Sequence, residues 1–119
     1  MKYRKKPVII DATQWLRNGD HPLDGSFYHG SETEHEGAVV GRYRHPKLSS
    51  DNFCAQCGVI FLHHGWIDTL EGGHIVCPMD YVITGVKGEH YPCKPDIFAA
   101  TYEAIGESDA GKKSTRSVV

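Results

Sequence analysis

No run of apolar residues in this 119-residue chain approaches the ~20 needed to cross a bilayer. The nearest thing to one, VIIDATQW after the basic opening MKYRKKP, is also too short and too polar for a secretory segment. These residues predict a soluble, cytosolic chain with no membrane partner. A surplus of charge is missing as well. Lys and Arg number 13 against 15 Asp and Glu, a formal net charge of −2. That removes the broad positive footprint of a general nucleic-acid binder, although it leaves room for a local patch. Catalytic signatures are absent too. There is no GxSxG, no HExxH and no His-x-Glu followed by Pro-Cys-x-x-Cys. GVKGE lacks both the helix and the Lys-Ser/Thr of a phosphate loop. No internal repeat is visible, and at this length one domain is expected. Its core is modest, so a structural metal would add usefully to it.

Cysteine is scarce but placed with a pattern. Of four cysteines, two fall in FCAQCGVIFLHHGW, residues 53–66, three apart and followed by an adjacent pair of histidines. In a reducing compartment a metal accounts for such cysteines better than two disulfides do. CxxC followed by glycine is the pattern of a zinc knuckle. Two thiolates on a tight turn converge on one ion, and Gly58 permits the backbone conformation that lets amides point at the sulfurs. A redox dithiol needs its CxxC at a helix start, and GVIFLHH reads as β instead.

The pair supplies half of a tetrahedral site, and no second CxxC completes it. His64, Cys77, His74 and His45 are the candidates. With Glu71-Gly72 as central turn residues, Trp66 faces Cys77 and His64 lies diagonally within reach of the same ion. A Gly72-Gly73 turn would pair Asp68 with Cys77 and carry His64 away. Cys54, Cys57, His64 and Cys77 are therefore the predicted metal ligands, with His45 as the best substitute for either of the last two. Ligand softness and spacing point to Zn2+. In a regular strand His63 faces away from His64. With two or three thiolates around it the ion is a weak Lewis acid, which favours a structural role. A catalytic alternative would use zinc-bound water near His64, His74 and Glu71, with Asp68 also close in sequence. Cys93, beside Lys94, could be a nucleophile, but a buried thiol between two prolines is the plainer reading.

Along the chain, KKPVIIDATQW reads as a first strand and residues 16–37 as a long loop. AVVGRYRH reads as a second strand ended by Pro46, and GVIFLHHGWIDTL as a long third strand with a bend at Gly65. HIVCPMDYVITGV returns antiparallel, broken near Pro78, and KGE turns into HYPC. Asp96 is placed to cap a helix over IFAATYEAI with Ile97, Ala100, Thr101 and Ala104 on one face. The alternative is a single helical turn followed by a strand. Trp15, Trp66, Tyr81, Tyr91, Phe98 and Tyr102 are expected to be core aromatics. The prediction is a mainly antiparallel α+β domain over residues 1–105, a small half-open barrel or sandwich with a zinc knuckle and one short C-terminal helix. Residues 106–119, polar and uncapped, read as a disordered tail.

The stretch WIDTLEGGHIVCPMDYVITGVKGEHYPCKPDIFAATYE resembles a group of small phage and prophage proteins marked by a Pro-Gly-Asp-Tyr/Trp-Gly-type motif. Those proteins open with a stretch similar to MKYRKKPVIIDATQW, and the two ends together cover about half of the chain. The similarity over VKGEHYPCKPDIFAATYE is specific. This sequence departs at Met79, where the group has glycine. Some members carry a similar CxxCG…HGWID insert with a cysteine before the Pro-Gly-Asp turn, which suits Cys54, Cys57, His64 and Cys77 as a set. YPCKPDIF belongs to the whole group, which makes Cys93 a scaffold residue. The resemblance implies an accessory protein of phage origin in the host cytoplasm and implies no reaction. The expected function is a binding module for a host or phage protein or a small nucleotide, with inhibition of a host defence system as the sharpest form. The rival is a zinc enzyme acting on a nucleotide or nucleic acid, and a virion component is a third, minor reading.

Overall fold

The structure, a computed structural model, describes residues 1–25 and 35–105. The expected disordered tail from 106 onward, and part of the expected loop, lie outside them.

Short β-branched and aromatic runs punctuated by glycine give six strands and one helix. These are β1 (Asp11–Gln14), β2 (Gly41–Arg42), β3 (Gly65–Thr69), β4 (Gly72–Val76), β5 (Tyr81–Thr84), β6 (His90–Cys93) and α1 (Pro95–Thr101). They form two three-stranded sheets, ordered β1-β5-β6 and β2-β3-β4, with every pairing antiparallel. This is the mainly antiparallel α+β architecture the sequence predicts. Trp15, Val40, Ile67, Val76 and Val82 make one buried cluster. Ile67 and Val76 belong to one sheet and Val82 to the other, so the two sheets share this core. A second, smaller cluster contains Cys54, Phe61 and Cys77, with Tyr43 and Ile75 packed against it.

Several elements are shorter than their sequence suggests. Residues 1–10 lie outside any strand and are almost wholly exposed, so only DATQ pairs. Of AVVGRYRH, only Gly41–Arg42 pairs with β3. The expected long third strand is two elements. Phe61–His63 is a 3₁₀ turn, and His64 caps it by donating its N–H to Phe61 O. The chain then enters β3 at Gly65, where a side chain would meet Val40 and Trp15. The alternation expected across His63 and His64 is therefore supplied by a turn, with His63 exposed and His64 buried.

The β3–β4 register also differs from expectation. Trp66 faces Ile75 and Thr69 faces Gly72, so Leu70 and Glu71 are the central turn residues. Among the described residues neither has a positive φ, whereas Gly72 has φ 115°. The glycine thus takes its left-handed backbone just after a two-residue turn. Thr69 closes that turn, accepting from Glu71 N at 3.1 Å and donating to Gly72 O at 2.8 Å.

The helix begins two residues earlier than expected. Pro95 occupies its first turn and Lys94 is the N-cap residue, so Asp96 sits inside the helix. A proline needs no partner for its missing N–H there, and its fixed φ suits the position. Its inward face is Phe98 with Tyr102, not Ile97, which is exposed. Phe98 stacks on Tyr81 with centroids 3.9 Å apart, which docks the helix on β5. Of the six aromatics expected in the core, only Trp15 is fully buried; the other five are half-buried. Among the described residues no helix is long and apolar enough to cross a membrane.

Candidate metal centre

Cys54, Cys57, His64 and Cys77 converge, with all four ligand atoms within 4.8 Å of one another. Three local structures bring them together. The first is the knuckle. Cys54 N donates to Val59 O at 2.9 Å and Gly58 N to Cys54 O at 2.9 Å, while Phe53 and Ile60 form a bridge at its base. Gly58 has φ 77°, which a side chain would resist. The tight loop aims the N–H of Gln56 at Cys54 Sγ at 3.4 Å.

The second is the 3₁₀ turn, which delivers His64. Its Nδ1 lies 3.0 Å from Ile60 O. Donation from Nδ1 to that carbonyl leaves Nε2 with its lone pair free, as a metal-binding imidazole requires. Nε2 is 3.1 Å from Cys57 Sγ, slightly inside the roughly 3.5 Å edge of a tetrahedral zinc site. Burial holds His64 below its ordinary pKa, against the pull of Ile60 O, so the ring is neutral near pH 7.

The third is the end of β4. Continuing the β3–β4 register past Gly65–Val76 sets Cys77 opposite His64, closer than the diagonal placement that the sequence suggested. Cys77 Sγ lies 3.8 Å from Cys54 Sγ. Two thiolates held at about 2.3 Å from a tetrahedral zinc stand about 3.8 Å apart. The donor set of three sulfurs and one nitrogen, buried except at Cys57, thus fits a tetrahedral, thiophilic ion. His45 and His74 stay out of the cluster. His45 Nδ1 accepts from the backbone N–H groups of Lys47 and Leu48, and His74 is an exposed residue of β4. Cys93 is also outside it, half-buried on β6. Burial, followed by Asp80 and Asp96, pushes its thiol up, which disfavours a nucleophilic thiolate.

Two residues outside the predicted ligand set support the site from behind: Asp80, which the sequence analysis does not single out, and Lys94, which it names only beside Cys93. Asp80, 2% exposed, accepts the N–H of Cys77 at 2.9 Å. Lys94 Nζ reaches both oxygens of Asp80 at 3.2 Å. Lys94 also stands close to Cys77. Burial pushes the Cys77 thiol up to about 12 and the Lys94 ammonium opposes this. Burial would lower the pKa of Lys94, but Cys77 and Asp80 together raise it. At Cys54 burial also pushes upward, yet the N–H groups of Cys57 and Gln56 and the neighbouring thiols win, and its pKa is lowered. The sequence signal for Asp80 is an acidic residue three after a cysteine across a Pro turn, where an Asx side chain reaches back to a main-chain N–H.

The turn itself is strained. Asp80 N donates to Cys77 O at 3.0 Å, with Pro78 and Met79 between, and Met79 has φ 84°. The main chain of Trp15 clamps it, donating to Asp80 O and accepting from Met79 N, both at 2.8 Å.

Comparison of the chain with protein-family models, with curated proteins and with solved structures gives no match in any of the three, so the reading of the centre rests on its geometry.

Proposed function

We propose that this chain is a phage-encoded binding module whose fold is held by one Zn2+ on Cys54, Cys57, His64 and Cys77. In this reading it works in the host cytoplasm, without catalysis, against a host defence system. The observation that carries the non-enzymatic part is the convergence of four protein ligand atoms within 4.8 Å. Four ligands fill a tetrahedral site and leave no position for a reactive water. His74 and Glu71, the residues a zinc enzyme would need nearby, are outside that cluster and exposed. The phage origin and the defence target rest on the resemblance of the WIDTLEGG…FAATYE stretch alone.

Burial around the knuckle supports a structural ion. Among residues 46–64 only Cys54, Phe61 and His64 are buried, and two of these are ligands. With one apolar anchor the segment has little hydrophobic driving force of its own, and metal binding energy becomes folding energy.

The test has two arms. Elemental analysis of protein prepared without chelator should give about one zinc per chain; a value far below that removes the proposal. His64→Cys should then keep the metal, the fold and the effect on phage growth in hosts carrying a given defence system, because a thiolate can replace imidazole in a closed site. A folded, zinc-loaded His64→Cys protein without that effect would favour the zinc enzyme acting on a nucleotide or nucleic acid.

A further inference from the structure

Two features of the molecule carry charges without partners of opposite sign among the described residues. The first is a cleft of about 1010 Å³ between the β3–β4 hairpin and β6. Glu36, Asp68, Glu71 and Glu89 line it, and Arg44 is the one Lys or Arg in its wall. Arg44 and Arg42 face Glu36. Asp68 accepts only the indole N–H of Trp66 at 2.9 Å, and Glu89 the main-chain N–H of Lys87 at 2.9 Å. Among the described residues the Glu71 carboxylate has no partner. Trp66 and Tyr91 give the cleft an aromatic wall, which suits an ammonium or guanidinium. A nucleotide fits poorly, because its phosphates would meet the carboxylates.

The second feature is the arm formed by residues 1–10. It carries Lys2, Arg4, Lys5 and Lys6, and its Tyr3 and Ile9 are 87% and 77% exposed. Among the described residues none of its cations forms an ion pair; Lys5 alone has a contact, 5.5 Å from the centre of the Tyr102 ring. The arm feeds β1, which lies on the far side of β5 from β6. Lys5 lies over Tyr102, the side-chain neighbour of Tyr91 in the cleft wall, yet among the described residues no arm cation forms an ion pair with a cleft carboxylate of its own chain.

We propose that the cleft docks the N-terminal arm of a second copy of this chain, its cations against Asp68, Glu71 and Glu89, the carboxylates that no arginine already pairs. Charge complementarity carries the pairing, and exposed Tyr3 and Ile9 bring apolar area to the aromatic wall. Exposed charges act over roughly a Debye length, about 10 Å at 0.1 M salt, so the contact is salt-sensitive. It does not depend on the role of the metal.

Sedimentation velocity of the full, zinc-loaded chain tests this. At about 0.05 M salt the mass should rise with concentration from one chain towards two, and at about 0.5 M the association should weaken at least roughly tenfold. Reversing the arm (Lys2→Glu, Arg4→Glu, Lys6→Glu) should leave monomers, as should Glu71→Lys with Glu89→Lys. Should the latter pair not fold, Glu71→Lys alone should weaken association measurably. An equimolar mixture of the arm and cleft variants should associate again, because each arm then meets a cleft of opposite sign. A chain that stays monomeric at low salt overturns the proposal. So does association that survives both sets of reversals, or variants that fail to rescue each other.

Discussion

Lys94 brings a positive charge to a centre that needs one. Three thiolates around a dication leave a net negative charge, and Lys94 stands beside Cys77 while pairing with Asp80, the residue that holds the Cys77 main chain. Residues that orient or compensate metal ligands typically change affinity 10–100-fold when lost. Lys94→Met, which keeps the apolar stem, should therefore lower zinc affinity by about tenfold. Competition with a chromophoric chelator measures this, and unchanged affinity would show that the ammonium serves Asp80 alone. Met79 makes a second residue-scale prediction. It holds φ 84°, a conformation that costs a side chain roughly 1–2 kcal/mol. Glycine loses more freedom on folding, which offsets part of the gain. Met79→Gly should still stabilise the protein by about 1 kcal/mol, a rise in Tm of roughly 4–8 °C. A lower Tm would mean that the half-exposed Met79 side chain packs usefully. At this scale the clustering of Cys54 with Cys57 is legible in the sequence, because CxxCG is a local pattern with local geometry. His64 and Cys77 join them through a hairpin whose turn lies one residue before the one the sequence suggested. The Asp80–Lys94 pair is not legible, since it joins residues 14 apart through a fold that no pattern announces.

Among the elements, the knuckle and its 3₁₀ turn should depend most on the proposed ion and the β1-β5-β6 sheet least. Phe61 is the one apolar anchor of residues 46–64, whereas β5 contributes buried Val82 and Ile83. Chelation should therefore strip hydrogen-exchange protection from residues 46–64 first, while amides of β5 and β6 stay protected. Simultaneous loss everywhere would show that the ion holds the whole fold. Acidification should have the same local effect. Metal binding displaces protons from sulfur and imidazole, so affinity falls as pH falls. The Cys77 thiol, pushed up to about 12 by burial, keeps proton competition active across the accessible range. Release should follow rising proton concentration, read by a zinc-sensitive dye. The elements are only partly legible. β-branched and aromatic residues mark GWIDT and YVIT, which do pair. FLHH reads as β as well, yet it turns, because Phe61 and His64 both bury against Tyr43 and the sulfurs. Tertiary packing decided between two local conformations that the same residues allow.

For the molecule as a whole, the proposed ion and the shared core would be two separate sources of stability. Trp15, Val40, Ile67, Val76 and Val82 knit the sheets together without a ligand among them. Unfolding free energy should accordingly grow with free zinc by about 1.4 kcal/mol for each tenfold step above the dissociation constant, and Tm should rise with it. Scanning calorimetry in zinc buffers measures this, and a zinc-independent Tm would remove the ion from the fold. Cys93→Ser should leave both metal content and zinc dependence unaltered, since Cys93 lies outside the cluster. The pairing of His64 with Cys77 has one more consequence. These residues face each other just beyond the open end of a hairpin whose turn region holds two adjacent glycines, Gly72 and Gly73, either of which could carry a slipped turn. A slip of one residue would turn one ligand to the other face of the hairpin. Only the correct alignment lets one ion hold both strands, so the proposed metal would also act as a proofreader of strand alignment, rejecting during folding the slipped hairpins that the turn alone would tolerate.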